Sequence, residues 1–343
     1  MSTVRPFFVG CAALATACSE PPAPVWSAGA PETIEAADHL FAADIDGDGH
    51  DELGQVVGET VRVGTTEHTL EGVFQRAVAV PQNGREVVWM ASGQGRGNTG
   101  APVRITELSG DGVRAVWERQ GDRDQVTDLR VHGDRVWAAV YADAKRVSGG
   151  WLTDAGFEAV TREHMGQRQV PLDDGSVVVG RVYGPAPKSP GDLRRVSDDT
   201  KTSTTLTSLR GVRALALADL DGDGHDDLIS GDGWHYAYGK EGDARVVVHR
   251  GPDFTDARVV GWVPDSYAAL SIVPVGTGTN TGLVVRGSHR VVLLARDPLG
   301  WGVVDLGRVS ELGSIAVLDA ETAPKVAIPG DKPRIVPLVL EAP

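Results

Sequence analysis

The chain alternates short apolar runs with short polar turns along most of its length. Residues 76–91 (RAVAVPQNGREVVWMA) illustrate the pattern, because an Asn-Gly turn separates two apolar runs. Residues 126–142 and 168–184 repeat it, with HGD and DDG at their turns. Short apolar runs bounded by Gly, Asn or Asp predict β-strands. The 43 glycines and 20 prolines favour frequent turns over long helices, so we predict an all-β fold.

The unit of strand, turn and strand recurs along the chain. Seven units begin near residues 39, 76, 126, 168, 213, 267 and 313, so successive starts lie 37 to 54 residues apart. A four-stranded propeller blade takes about 40–45 residues. We therefore predict a β-propeller of seven four-stranded blades over residues 38–343. It is expected to be one domain, because no linker interrupts the repeat.

The two ends of the chain are predicted to close this propeller. The last unit has room for a third strand but not for a fourth. Residues 25–36 (VWSAGAPETIEA) precede the first blade and have no other assignment. We expect them to supply the outer strand of blade seven. Closure of this kind removes an open sheet edge, which is otherwise a site for aggregation.

Two nearly identical acidic decapeptides are the strongest chemical signal in the chain. Residues 44–53 (DIDGDGHDEL) and 219–228 (DLDGDGHDDL) carry acids at positions 1, 3, 5, 8 and 9 and glycines at positions 4 and 6. These carboxylates repel one another unless a cation binds, and calcium takes about six to eight oxygen ligands. Glycine permits the positive φ angles that a tight loop needs. The candidate ligands are the acids at positions 1, 3, 5 and 9 and the backbone carbonyl at position 7. They are Asp44, Asp46, Asp48, His50 and Glu52 in the first loop, and Asp219, Asp221, Asp223, His225 and Asp227 in the second.

The other side chains of the decapeptides are expected to point away from an ion. Position 8, Asp51 and Asp226, should face water, and the imidazoles of His50 and His225 should be exposed at the loop apex. An acidic Asp-Gly turn that holds no ion is the alternative to a calcium site.

The flanks of the decapeptides decide between two kinds of calcium loop. An EF-hand needs a bidentate Glu at position 12 and a helix on each side. Position 12 is Gln55 in the first copy and Ser230 in the second, and the flanks are strand-like. The decapeptides instead resemble the FG-GAP and VCBS repeats of β-propellers, including the blades of integrin α-subunits, with the motif D-x-D-G-D-G-x-x-D-L. The resemblance implies a calcium loop between two strands of a blade. Glu52 departs from the motif, which has Asp there.

The N-terminus is predicted to be a signal peptide over residues 1–17. Arg5 precedes an apolar stretch that is too short for a bilayer core of about 30 Å, which needs roughly 20 residues. Its end, ATAC, resembles a bacterial lipobox, which implies a lipid anchor on Cys18. Residues 18–37 would then form a proline-rich tether and the closing strand. In such lipoproteins Ser19, which is not Asp, implies the outer membrane of the cell envelope. Plain cleavage after ATA is the alternative.

Charge and cysteine content limit the partners. The formal net charge is −14, so nucleic acid is not expected as a partner, because phosphate binding needs clustered Lys and Arg. The two cysteines, Cys11 and Cys18, both lie at the start of the chain, so we expect no disulfide in the propeller. We also expect a monomer.

The remaining residues carry no enzyme signature. The chain has no H-E-x-x-H, no G-x-S-x-G and no P-loop. Trp89, Trp117 and Trp137 lie in strand-like patterns and are expected to pack between blades. Asp122 and Asp124, in GDRDQ, are expected in a solvated turn.

Two functions follow as hypotheses. The first is a membrane-tethered extracytoplasmic propeller with structural calcium, which binds a protein or a glycan through one of its faces. The second is a polysaccharide-active enzyme, lyase-like, on a propeller scaffold. A purely structural protein of the cell envelope is a third option. The absence of catalytic motifs favours the first hypothesis over an enzyme.

Overall fold

The computed structural model of the protein describes residues 25–93, 102–109, 112–120, 124–142, 146–153, 155–164, 166–182, 191–197, 202–208, 210–233, 243–297, 300–310, 313–330 and 332–341. These residues form seven antiparallel sheets, which are the blades of a β-propeller. Six sheets have four strands, and the seventh has four strands with a short fifth strand beside them. Within these ranges the helical structure is the short 3₁₀ turn Gly278–Asn280. The predicted all-β, seven-bladed fold is confirmed.

The strands of the first four blades follow the chain in order. Blade one consists of β3 (His39–Ala43), β4 (Glu52–Val57), β5 (Thr60–Val63) and β6 (Thr66–Thr69). Blade two consists of β7 (Val73–Gln82), β8 (Arg85–Gly93), β9 (Val103–Ser109) and β10 (Gly112–Arg119). Blade three consists of β11 (Gln125–His132), β12 (Arg135–Ala142), β13 (Arg146–Thr153) and β14 (Gly156–His164). Blade four consists of β15 (Arg168–Pro171), β16 (Val177–Gly180), β17 (Asp192–Val196) and β18 (Ser203–Ser208).

The last three blades complete the circle. Blade five consists of β19 (Val212–Ala218), β20 (Asp227–Asp232), β21 (Ala244–His249) and β22 (Ala257–Val263). Blade six consists of β23 (Ala269–Val275), β24 (Gly282–Gly287), β25 (Arg290–Asp297) and β26 (Gly300–Arg308). Blade seven consists of β27 (Ala316–Leu318), β28 (Lys325–Ile328), β29 (Arg334–Glu341) and, from the other end of the chain, β1 (Val25–Ala28).

The first strand of each blade lies innermost and lines a central channel. These seven strands begin at residues 39, 73, 125, 168, 212, 269 and 316, each within three residues of the predicted start of its unit. The hydrophobic pattern therefore located every blade. It did so because each inner strand is a short apolar run that packs against its neighbours on both sides.

The N-terminal strand closes the propeller, as predicted. β1 pairs antiparallel with β29, with Trp26 opposite Leu340, and the short β2 (Glu32–Thr33) also pairs with β29. Trp26 is 5% exposed and packs in a cluster formed by blades six and seven. Its indole N–H donates to the Asn280 carbonyl of blade six at 2.8 Å. The closing strand thus contacts two blades rather than one.

The hydrophobic core lies between adjacent blades. Trp137 of blade three is fully buried against Val177 and Val179 of blade four, and its ring meets that of Trp151 edge-on at 5.0 Å. Trp89 of blade two is half-buried in a cluster that blades two and three share. The predicted packing of these tryptophans is confirmed, and Trp117 lies in the same shared cluster.

One prediction about the connections is wrong. Asp124, expected in a solvated turn, is 4% exposed, and its carboxylate lies 3.0 Å from the Arg119 guanidinium. It immediately precedes β11, so this ion pair ties the end of β10 in blade two to the start of blade three. Asp122 lies outside the described residues.

Candidate metal centre

The two acidic decapeptides occupy the same place in two blades. The first joins β3 to β4 in blade one, and the second joins β19 to β20 in blade five. At the base of each loop the strands are paired, Ala43 with Glu52 and Ala218 with Asp227. The predicted arrangement of strand, acidic loop and strand is confirmed, and each loop follows an innermost strand.

The first aspartate organises each loop. The Asp44 carboxylate accepts the Gly47 N–H at 2.8 Å and the Gly49 N–H at 3.0 Å. Asp219 accepts the corresponding N–H groups, from Gly222 at 2.7 Å and from Gly224 at 3.0 Å. All four glycines have positive φ angles between 78° and 88°, which side chains rarely permit. The hydrogen bonds, the Gly224 N–H foremost, lower the pKa of Asp219, so this carboxylate stays charged.

Three carboxylates converge in each loop. One oxygen from each of Asp44, Asp46 and Asp48 lies within 4.8 Å of the others, and Asp219, Asp221 and Asp223 form a second such group. Among the described residues these are the two places where at least three potential metal ligands meet. Three like charges this close repel one another strongly at a protein surface. Each loop therefore has the oxygen donors and the concentration of negative charge that favour a hard cation.

The ninth position ties the loop to its surroundings. The Glu52 carboxylate accepts the Ile45 N–H at 2.8 Å. Asp227, which is buried, accepts the Gly251 N–H at 3.0 Å and the Leu220 N–H at 3.3 Å. Burial raises the pKa of both carboxylates. Neither belongs to the group of three in its loop, and each holds the ends of the loop together through backbone amides.

The eighth position differs between the loops. Asp226 is exposed, as predicted. Asp51, which was also predicted to face water, is half-buried and pairs with Asp319 in the β27–β28 turn of blade seven. The Asp51 carboxylate accepts the Asp319 N–H at 2.7 Å, and the Asp51 N–H donates to the Asp319 carboxylate at 3.1 Å. Burial raises the pKa of Asp51, and the charge of Asp319 adds to this effect. This prediction failed for Asp51 because its partner lies 268 residues away in the sequence.

The imidazoles at position 7 lie on the outside. His50 keeps 76% of its side chain exposed, and its Nδ1 is 3.7 Å from the Asp319 carboxylate. His225 is exposed as well. The predicted exposure of both rings is therefore confirmed, and it leaves the backbone carbonyl as the group that position 7 can offer to an ion.

A charged residue from another segment lies against each loop, a glutamate at the first loop and an arginine at the second. The Glu86 carboxylate, from β8 of blade two, accepts the Asp44 N–H at 2.9 Å. Burial raises the pKa of Glu86, and the charges of Asp51 and Asp44 add to it. At the second loop the Arg250 guanidinium lies 3.2 Å from one carboxylate oxygen of Asp221. Neither neighbour is evident from the decapeptides themselves, because both lie in other segments of the chain.

Asp221 provides a direct test of whether the loop fits a cation. One of its oxygens contacts Arg250, whereas Oδ1 is buried and has no hydrogen-bond partner in the part of the chain that the structure describes. A buried, charged oxygen without a partner is costly. A calcium ion among Asp219, Asp221 and Asp223 would compensate it, so the residues present fit the ion that the motif implies.

One buried pair has the residue types of a catalytic dyad. Ser230 Oγ lies 3.0 Å from His249 Nε2, between β20 and β21. Both residues are fully buried, and burial lowers the pKa of His249 to about 4. A substrate could not reach this pair without local unfolding, so it gives no support to an enzymatic function.

Comparison with known proteins adds no family. None of the protein-family models matches the chain, and no curated protein is significantly similar to it. No helix among the described residues has the length and apolar character needed to cross a membrane. Cys18 and the segment 1–17 lie outside those residues. The seven-bladed β-propeller is therefore established by the structure, while the likeness to FG-GAP and VCBS repeats rests on the two decapeptides and their place in the blades.

Proposed function

We propose that the protein is a binding module of the bacterial cell envelope. In this proposal a lipid on Cys18 anchors the chain, in the outer membrane, and the proline-rich segment holds the propeller away from the bilayer. The two acidic loops hold structural calcium ions, and a face of the propeller binds a protein or a glycan.

The observation that carries the calcium proposal is the equivalence of the two loops. Both join the inner strand of a blade to the second strand, and both gather three carboxylates within 4.8 Å. The ions would be held by Asp44, Asp46, Asp48, Glu52 and the His50 carbonyl in blade one, and by Asp219, Asp221, Asp223, Asp227 and the His225 carbonyl in blade five. Calcium would supply the positive charge that these oxygens lack.

A structural role agrees with the contacts of the first loop. Through Asp51 it contacts Asp319 of blade seven, and through the Asp44 amide it contacts Glu86 of blade two. An ion in this loop would therefore stabilise the junction between the first blade and both of its neighbours. Since protein oxygens would fill most coordination positions, little room would remain for a reacting substrate.

Thermal unfolding with calcium and with chelator tests this proposal. Calcium should raise the midpoint of the wild-type protein, because an ion that binds only the folded state stabilises it. The double variant Asp46→Asn and Asp221→Asn should lose that response. A matched control is Asp134→Asn, which removes an exposed acid from the corresponding turn of blade three. A wild-type midpoint that is the same in calcium and chelator would show that the loops are bare turns.

Capture from envelope extracts separates binding from catalysis. The immobilised propeller should retain a defined protein or glycan, and retention should decrease in chelator if calcium holds the binding face in shape. Shortening of an acidic polysaccharide without retention of a partner would favour the lyase-like alternative instead.

A further inference from the structure

The central channel carries a charge opposite to that of the whole chain. The inner strands enclose a cavity of about 520 Å³. Among the described residues, the charged groups that line it are four arginines and one acid, Arg76, Arg130, Arg168, Arg286 and Asp128. The described part of the lining is therefore rich in positive charge, whereas the whole chain has a formal net charge of −14. His39 adds no charge at neutral pH, because burial lowers its pKa to about 4.

Two of these guanidinium groups meet at one backbone carbonyl. Arg76, on β7, donates to the Thr127 carbonyl at 3.2 Å and to the Gln75 carbonyl at 2.7 Å. Arg168, on β15, also donates to the Thr127 carbonyl, and its Nε donates to the Arg213 carbonyl at 2.7 Å. Among the described residues, neither guanidinium forms an ion pair with a carboxylate. Their direct hydrogen bonds go to neutral carbonyls, so the two positive charges lie close together without a directly paired carboxylate, although the charge of Asp128 acts on both.

The acid in the channel compensates only part of this charge. Asp128 Oδ2 accepts the Arg130 Nε–H at 2.8 Å and the Gln169 backbone N–H at 3.0 Å. Arg286 donates to the Ser310 carbonyl at 3.0 Å. The charge of Asp128 also acts on Arg76 and Arg168. A single carboxylate cannot neutralise three guanidinium groups, so positive charge remains around Arg76 and Arg168.

Enclosure makes this arrangement costly. Arg76 and Arg168 are surrounded by protein yet keep some accessible surface, as expected for groups that face an internal channel. Burial and the charge of Arg76 lower the pKa of Arg168 to about 9. Burial likewise lowers the pKa of Arg76. A bound anion would stabilise the charged form of both guanidinium groups, because buried charges are stable when they are paired and hydrogen-bonded.

We propose that the channel binds a small ligand through an oxyanion group, a carboxylate, sulfate or phosphate, held between Arg76 and Arg168. The planar fork of a guanidinium matches two oxygens of such a group. A cavity of about 820 Å³, lined in part by Val57, Gly58 and Glu59, shares His39, Phe74 and Gly313 with the channel lining. The rest of the ligand can extend into it. This proposal does not depend on calcium in the acidic loops.

Isothermal titration calorimetry on the full chain tests the proposal with four probes. Sulfate is the free inorganic anion, D-glucuronate an organic carboxylate, glucose 6-phosphate an organic phosphate, and glucose the neutral control. Ionic strength is held constant with chloride, and calcium is kept present so that the loops remain in one state. At least one anion should bind while glucose does not, and the best anion identifies the source of the oxyanion.

Two variants locate the binding. Arg168→Gln should lower the affinity for the best anion by about tenfold or more, since it removes a charged hydrogen-bond donor. Arg258→Gln is the matched control, because Arg258 is exposed and pairs with Asp256 at 3.1 Å on blade five. It should bind as tightly as the wild-type protein. Absence of binding by all three anions, or equal binding by Arg168→Gln, would overturn the proposal.

A measurement on the wild-type protein keeps the test decisive if Arg168→Gln does not fold. Hydrogen–deuterium exchange with and without the best anion should show slower exchange in the inner strands β7, β11 and β15. Protection confined to outer strands would place the anion elsewhere and contradict the proposal.

Discussion

Truncation of the tryptophan on the closing strand is the most direct test of how the propeller is held together. Trp26 is 5% exposed. Its ring packs closely on Gly282 of blade six, since a Cβ atom added to this glycine would lie 3.4 Å from the ring. Burial of about 200 Å² of indole surface at about 25 cal/mol per Å² corresponds to about 5 kcal/mol, of which alanine keeps a small part. Core substitutions of tryptophan by alanine typically cost about 3–5 kcal/mol. The lost hydrogen bond to the Asn280 carbonyl contributes about 1 kcal/mol within that range.

We therefore expect Trp26→Ala to lower the free energy of unfolding by about 3–5 kcal/mol. The measurement is equilibrium unfolding in urea, followed by circular dichroism. Trp262→Ala is the matched control, because Trp262 is 45% exposed on the outer strand of blade five, and it should change stability by less than about 1 kcal/mol. The reasoning would be refuted if Trp26→Ala lost less than about 1 kcal/mol, or if both variants lost the same amount.

Three further predictions concern the metal loops, the pH response and the anchor. Asp221→Asn leaves the first loop intact, whereas Asp46→Asn leaves the second, where the positive charge of Arg250 opposes a cation. We therefore expect Asp221→Asn to bind calcium roughly tenfold more tightly than Asp46→Asn, and Arg250→Gln to raise the calcium affinity of the second loop. Equal affinities in calcium titration calorimetry would contradict this. His249 has a folded pKa of about 4 against about 6.5 in the unfolded chain, so the unfolded state binds the extra proton. The neutral His249 therefore contributes roughly 3 kcal/mol to the free energy of unfolding above about pH 6.5, and this contribution should be lost as the pH falls to about 4. Urea unfolding across this range should show a flatter pH dependence in His249→Gln, and an unchanged dependence would refute it. Cys18→Ala should abolish incorporation of a labelled fatty acid in a bacterial host, and labelling that persists would exclude Cys18 as the anchor.

The sequence predicted the blades well because each inner strand is a local signal. The apolar runs near residues 39, 168 and 213 begin within one residue of the strands β3, β15 and β19. The acidic loops were equally local, since every candidate ligand of a loop lies within nine consecutive residues. Closure by residues 25–36 followed from counting strands, because the last unit was one strand short.

What the sequence could not provide were the contacts between distant segments. Asp51 looks like any solvated acid until blade seven brings Asp319 against it. The meeting of Arg76 and Arg168 in the channel is equally hidden in the sequence. The two residues lie in different blades, and no local pattern shows which face of a strand turns inward. Alternation of apolar and polar residues shows which side chains share the buried face of a strand. A strand that is buried on both faces lacks this alternation.

The pairing of β1 with β29 also sets an order for folding during synthesis. β1 precedes blade one in the chain, whereas its partner β29 follows blades one to six, so β1 must wait without this partner until blade seven is made. Contacts of such large sequence separation form slowly, since a long loop must close before they contribute. A chain cut short before Arg334 would keep six complete blades and still leave Trp26 without its neighbours on β29. Pairing of β1 with β29 would then occur only after blade seven has been synthesised.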